Sequence, residues 1–492
     1  MFKEKILKNK ICILYTTIIF ILSIVLKDID LGVLGIYFLL LVLSYNWLKK
    51  NFLTVWTYVV ILIFCQFFVL DNLIPFIFKL SDGTITLMKF WKEIIILQSI
   101  YILIKNTDTK ERMKKYIKNN KILLCFLLSI IIFIFSMIIT IPKVDSLFIA
   151  IYGIRNYIIG YLILLIFMLN KFHLQDIYKF IDKIAVAFVY LSIWGIFQAV
   201  FLGDKFLIKI GYGLNGVLSS SYYLSGYFGR QRVVSTFASP NTFGLIAAMI
   251  LMYFVYKIYN EFKNNKVKLV DVIYFIVVFI ALMLSYSRSA YLSFAIGFII
   301  FVFMELNKKL KIIFSISIIF VSVVIIILSF ILVDKVDNMF INHIFRTITL
   351  RDTSAIGHID STNYALEVMK SNPFGIGVGR SGQKSLQFID SALHAENSYF
   401  IIAFDMGIIG LIIYLISLGF LGYELIKIYA SQKQGISMVI SKLSFVIFLE
   451  IYLSYMFLPT IQELEVAYLF FPILGLTWSI YNEKIEKSDY NE

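Results

Sequence analysis

Four arginines in or beside long apolar runs give the first chemical signal. Arg155 lies eight or nine residues into the apolar stretch 147–169. Arg288 sits in the hairpin Ser285–Ala290 (SYSRSA), between two apolar stretches. Arg230 and Arg232 stand just before another stretch, which opens at Asn241. A guanidinium in hydrocarbon costs about 2.5–3.5 kcal/mol on insertion scales, so it faces a bundle interior and takes a partner. Its planar fork also suits phosphate, through paired and charge-assisted hydrogen bonds. Arginines gathered at one membrane face can therefore hold a lipid-linked phosphate; the plainer readings are interhelical ion pairs and snorkelling to head groups. Arg346 and Arg351 lie in a long polar segment and carry less of this signal.

A histidine and a carboxylate supply the second signal. His394 and Glu396, in the motif HAENS at 394–398, immediately precede an apolar stretch. Neutral imidazole and carboxylate can each accept a proton from a sugar hydroxyl; an interfacial histidine is otherwise simply solvated. Between them and the arginines lies Asn372–Arg380 (NPFGIGVGR). It lacks the Gly-Lys-Ser/Thr of a phosphate loop. It is either a flexible bend or a place where backbone approaches a ligand closely. Metal chemistry finds no support in the pattern: His358 and Asp360 are two apart with no further ligand at useful spacing. Neither a metal nor a cofactor is expected.

The elements that must position these groups are apolar helices. Of the 492 residues, 60% are hydrophobic and 15% charged, against about 25% charged in soluble chains. A soluble reading would also demand a core beyond what single domains build. Apolar runs recur near 11–26, 32–47, 52–70, 87–104, 122–141, 147–169, 184–202, 242–258, 269–286, 289–304, 312–333, 399–426, 443–458 and 465–481. That is about fourteen spans, each long enough to cross a bilayer core of about 30 Å. The run at 87–104 carries Lys89, Lys92 and Glu93 near its start. The basic segment 1–10 followed by 11–26 resembles a signal peptide without a small-x-small cleavage site, so it reads as an uncleaved first span. Cys12, Cys65 and Cys125 all fall in apolar runs and read as packing residues. No repeat of solenoid period and no inverted halves are visible.

The net charge of +14 sits mostly in short loops, so it sets orientation rather than marking a nucleic-acid surface. With the N-terminus placed in the cytoplasm, the inner loops are 49–51, 105–121, 170–183, 260–268, 305–311, 427–442 and the tail after 481. The second holds Lys105, Lys110, Arg112, Lys114, Lys115, Lys118 and Lys121. Both termini are then cytoplasmic. Two long segments, 203–240 and 334–397, face outward. Structureless loops beyond about 15 residues are uncommon and often functional. Residues 361–370 read as a short helix, apolar at Tyr364, Ala365, Val368 and Met369 and ended by Asn372-Pro373. The chain divides into N-terminal helices 1–141, central helices 142–333, the segment 334–397, and C-terminal helices with a tail, 398–492.

The motifs RVVSTFASPN at 232–241, SRSA at 287–290, NPFGIGVG at 372–379 and HAENS at 394–398, followed by FDMGIIG at 404–410, occur in this order. Together they resemble the O-antigen ligase and polymerase (Wzy and WaaL-like) family, over about residues 150–425. The resemblance implies an all-α polytopic membrane protein of about 12–14 helices with a GT-C-like fold. It implies a bacterial membrane glycosyltransferase using undecaprenyl-pyrophosphate-linked glycan as donor and acceptor at the outer face of the cytoplasmic membrane. Arg232 and Arg288 match the family arginines that grip pyrophosphate, with Arg155 and Arg230 beside them. His394 matches the loop histidine serving the acceptor, with Glu396 as a second candidate base. Arg380, Asn241 and Asn397 are assigned to the glycan or acceptor. Two departures stand out: serine follows Arg288 where glycine often stands, and HAEN replaces the His-x-His or His-Asn of ligases. The second, with the Ile, Lys and Asn richness of AT-rich Gram-positive genomes, favours a capsule-type polymerase. A ligase of the same family, a lipid-linked oligosaccharide flippase and a shape-and-division peptidoglycan polymerase are the rival readings. Expected partners are membrane lipid, the lipid-linked glycans, and a chain-length regulator or flippase, with no nucleic acid.

Overall fold

A computed structural model describes residues 29–212, 218, 222–223, 231–336, 342, 345–346, 348–351, 353–382, 385, 389, 392–393, 395–432 and 435–489. The described chain is helical, with only two isolated bridges, Tyr223 to Gln231 and Ser381 to Leu393. Eleven of its helices are long and apolar enough to cross a membrane. The protein is an all-α, multi-pass membrane protein.

The helices run in chain order as α1 (Ile29–Lys50), α2 (Phe52–Gln66, continued by the π-helical Phe67–Leu73), α3 (Trp91–Lys105), α4 (Thr107–Asn119), α5 (Lys121–Thr140), α6 (Leu147–Leu169) and α7 (Leu174–Phe197). They continue as α8 (Pro240–Lys263), α9 (Leu269–Leu284), α10 (Arg288–Glu305), α11 (Lys308–Leu332), α12 (Thr353–Ser371), α13 (Ser398–Ser431), α14 (Ile436–Ser454) and α15 (Leu464–Asp489). Hydropathy located them closely, with instructive differences. The expected span 11–26 lies outside the described residues. The expected 87–104 divides into a short helix, Asp82–Met88, and the 15-residue α3. Its Lys92 is buried and bonds back to Lys89 O at 2.7 Å and Gln66 Oε1 at 3.1 Å. The run 269–286 becomes the 16-residue α9, and 184–202 begins a full ten residues earlier as α7.

The centre of the bundle is α8, buried along nearly its whole length, whereas α11 exposes almost all of its surface. α8 packs between α9 and α10, α6 lies along α15, α5 along α13, and α10 along α14. Fully enclosed rings of Trp56, Phe126, Phe133, Phe188 and Trp478 fill the contacts. Polar clasps close one end. Lys257 of α8 bridges Asp182 of α7 at 2.6 Å and Asp271 of α9 at 2.7 Å. Nearby, Lys263 and Lys442 both reach Glu305. The other end carries the 334–397 segment and is called the loop end below.

Candidate functional site

Two assemblies occupy the loop end. The first is built from the segment before α8 and the corner between α9 and α10. Ser239 caps α8, its Oγ accepting from Asn241 N at 3.2 Å, and Pro240 takes the first helical position, where its missing N–H is harmless. Ser287 is the N-cap residue of α10, and Arg288 its first residue. Gly244 lets the two starts touch: a Cβ there would lie 2.9 Å from Ala290 Cβ and 3.1 Å from Ser287 Cβ. Two helix N-termini therefore converge, each bringing the positive end of its dipole.

Arg232 lies against this corner. Its Nε donates to Ser285 O at 2.7 Å and its Nη2 to Asn241 Oδ1 at 2.7 Å. Its neighbour Val233 donates from N to Leu284 O at 2.9 Å, tying the segment to the end of α9. These bonds fix the plane of the fork. Burial pushes the Arg232 guanidinium down to about 10, and the charge of Arg288 adds to the shift while Tyr291 opposes it. Arg232 still carries its proton at neutral pH, so two like charges are held together in a half-dry site. Ser287 Oγ, buried, has no hydrogen-bond partner among the described residues. Two cations beside two helix starts are an arrangement that can meet an anion such as phosphate. The structure thus brings together Arg232, Arg288 and Asn241. Arg230 lies outside the described residues.

The second assembly is the glycine bend. α13 breaks at Gly407, whose φ is +74°. The bend enters this break: Ile376 N donates to Phe404 O at 2.7 Å, and Ile408 N to Pro373 O at 3.0 Å. Asp405, fully buried, is the anchor, accepting from Ser381 Oγ at 2.6 Å, Tyr157 OH at 2.9 Å and Gly379 N at 3.1 Å. The glycines are required by helix contact rather than by flexibility. A Cβ on Gly375 would meet Gly407 N at 2.5 Å, and one on Gly153 of α6 would meet Gly379 Cα at 2.5 Å. The close approach that the sequence suggested is therefore made to α6 and α13.

The remaining expected residues are placed as follows. α12 is longer than the expected 361–370, reaching back to Thr353; its first half has Gly357, Asp360 and Ser361 and no apolar stripe to announce it. Fully buried Ala365 packs it on Ala395, Ile401 and Phe404. That contact brings His358 Nδ1 to 2.5 Å from Glu396 Oε2. His394 and His343 lie outside the described residues. Asn397 caps α13, its Oδ1 accepting from Tyr399 N at 2.8 Å, and its Nδ2 donates to Met456 O at 3.1 Å. Arg380 donates from Nη1 to Lys143 O at 3.1 Å and reaches Asp145 at 3.6 Å. Arg346 and Arg351 both face Asp334, whose carboxyl is held below its usual range chiefly by the Arg346 hydrogen bond. Among the described residues, no group of three or more His, Cys, Asp or Glu is arranged around a metal position.

Arg155 stands apart from the Arg232–Arg288 corner. Its Nε donates to Glu93 Oε1 of α3 at 2.6 Å, its Nη1 to Asn156 Oδ1 at 3.2 Å, and it lies over the Tyr152 ring. Removing one partner of such a pair strands the other charge, at about 3–5 kcal/mol. We expect Arg155→Ala to lower the thermal unfolding temperature in detergent and Arg155→Ala with Glu93→Ala to recover much of the loss. Equal unfolding of the single and double variants would contradict the pairing role.

Sequence reasoning missed His358 as a partner for Glu396, and Tyr157 and Asp405 as anchors. A carboxylate inside an apolar run was a signal for Asp405; nothing local announced the other two.

Comparison with known proteins bears on this geometry. Residues 273–415 match the family model described as O-Antigen ligase. That interval holds Arg288, the glycine bend, Glu396 and Asp405, and it excludes Arg155 and Arg232. The chain is also 24% identical over 237 residues to an O-antigen polymerase of Salmonella muenchen. That match covers 47% of this chain and 58% of the relative's length.

Proposed function

We propose, from the premise that the chain belongs to the O-antigen ligase and polymerase family, that it polymerises lipid-linked oligosaccharide repeat units into a surface polysaccharide. The enzyme is a membrane glycosyltransferase. Its donor and acceptor are undecaprenyl-pyrophosphate-linked glycans, and the loop end is the outer face of the cytoplasmic membrane, with both termini inside. The observation that carries this reading is the meeting of half-buried Arg232 with Arg288 where α8 and α10 begin.

In the reaction the acceptor hydroxyl oxygen attacks the anomeric carbon of the donor glycan. The bond from that carbon to the pyrophosphate oxygen breaks, and the lipid pyrophosphate leaves with the electron pair. Arg232, Arg288 and the helix starts neutralise charge as it develops on the leaving group, a preorganised electrostatic role worth about 10²–10³ in rate per donor. That clamp makes a metal-independent transfer chemically sufficient. The proton of the hydroxyl passes to a base on the loop side, in the region that holds His394 and Glu396. Arg230 is a secondary contact to the pyrophosphate, Arg155 serves its pair with Glu93 instead, and Arg380, Asn241 and Asn397 border the glycan. The lipid enters laterally between spans.

The ligase reading is favoured by the name of the matched family model, and the polymerase reading by the name of the curated relative. Purified protein given one lipid-linked repeat unit and no other acceptor decides between them. A ladder of lengthening chains is expected. Transfer only after a foreign acceptor is added would replace polymerase by ligase.

A further inference from the structure

We infer that His358, paired with Glu396, is the proton acceptor for the acceptor hydroxyl. The inference rests on the glycosyl-transfer reading above and deepens it.

His358 lies on α12 and Glu396 two residues before α13. Their meeting is built rather than incidental. Ala365 seats α12 on Ala395, Ile401 and Phe404, with Val368 and Met369 at the edge of the same cluster. Ser361 Oγ accepts from Glu396 N at 3.4 Å, fixing the backbone beside the carboxylate. Asn397 is held at the start of α13 by its cap. The carboxylate therefore arrives at the imidazole on a braced segment, and His358 Nδ1 lies 2.5 Å from Oε2.

A carboxylate on Nδ1 requires the proton there, which leaves Nε2 with its lone pair outward. This is the base-with-orienter arrangement of nucleophile-activating dyads. Both side chains remain reachable, 41% exposed for His358 and 42% for Glu396, so a sugar hydroxyl has access. Nε2 takes the hydroxyl proton as the acceptor oxygen bonds to the anomeric carbon and the pyrophosphate leaves. The imidazolium then returns the proton to water. Glu396 is a positioning residue in this scheme, since it acts through His358.

The alternative use of the pair is mechanical, a tether between α12 and the start of α13. His358→Asn separates the two, because the asparagine amide nitrogen replaces Nδ1 as donor and Nε2 is lost. Turnover should fall by about 10²-fold or more, the usual worth of a general base, with KM for the lipid-linked unit within about threefold. His358→Gly should be similarly slow and should recover with added imidazole. His358→Asn turnover within about tenfold of the parent would overturn the assignment. So would a His358→Gly protein that binds lipid-linked unit like the parent yet gains nothing from imidazole. A parent protein that forms no glycosidic bond from lipid-linked donor would instead overturn the glycosyl-transfer reading, so the two failures are distinguishable.

Discussion

We expect Arg232→Ala to abolish polymer and to leave single lipid-linked repeat units accumulating in the membrane. The expectation follows from where the guanidinium sits. Arg232 is held by Ser285 O and Asn241 Oδ1 beside Arg288, in a site dry enough to push it down to about 10. Two cations kept close together are well placed to meet a dianion. Removing one loses a charge-assisted contact that strengthens as the leaving group forms, so the rate should fall by about 10²–10³. Arg232→Lys should recover little, because a point charge cannot keep both fork contacts. Arg288→Ala should behave like Arg232→Ala. Polymer of normal length in either alanine variant, read on gels of the surface glycan, would remove the arginine clamp from the account.

The second large effect is on stability. Asp405→Ala leaves three donors facing an apolar interior: Ser381 Oγ–H, Tyr157 O–H and Gly379 N–H. Each buried unsatisfied group costs about 1–3 kcal/mol, and together with the cavity we expect a loss of about 3–5 kcal/mol. The bend would leave the break at Gly407, and α6 would lose its seat against Gly379. Asp405→Asn keeps a carbonyl oxygen and should cost less than half as much. The check is unfolding of both variants in detergent, followed by hydrogen exchange across residues 373–382. An Asp405→Ala protein as stable as its parent, with the bend still protected, would contradict the anchoring role.

The membrane-spanning helices were legible because their cause is one-dimensional. A bilayer demands long apolar runs, and those runs can be counted. Where the reading slipped, a polar contact had intervened. The run 87–104 divides at Lys89 and Phe90, and Lys92 and Glu93 in the first turn of α3 face inward to Gln66 and Arg155. The arginine corner was partly legible, since Arg232 and Arg288 stand beside apolar runs, but Arg155 looked the same in sequence and proves to be paired with Glu93. Depth alone could not tell Arg155, paired with Glu93, from Arg232, held by Ser285 O and Asn241 Oδ1. The glycine bend was visible as a motif, and its meaning was not. FDMGIIG reads as continuous helix, and only the left-handed Gly407 reveals the break that receives Pro373 and Gly375. The His358–Glu396 contact was invisible for a related reason. It depends on how α12 docks through Ala365, a residue whose burial no local pattern distinguishes.

The central claim is that the loop-end arginines serve a glycosyl transfer from a lipid pyrophosphate. The most direct measurement follows purified protein in liposomes supplied with one lipid-linked repeat unit, reading glycan length and freed lipid pyrophosphate together. The account predicts a lengthening ladder with one lipid pyrophosphate released for each new glycosidic bond, and neither product from Arg232→Ala. Glycan of unchanged length while the labelled lipid crosses the bilayer would contradict it, and would make the chain a transporter of the same lipid.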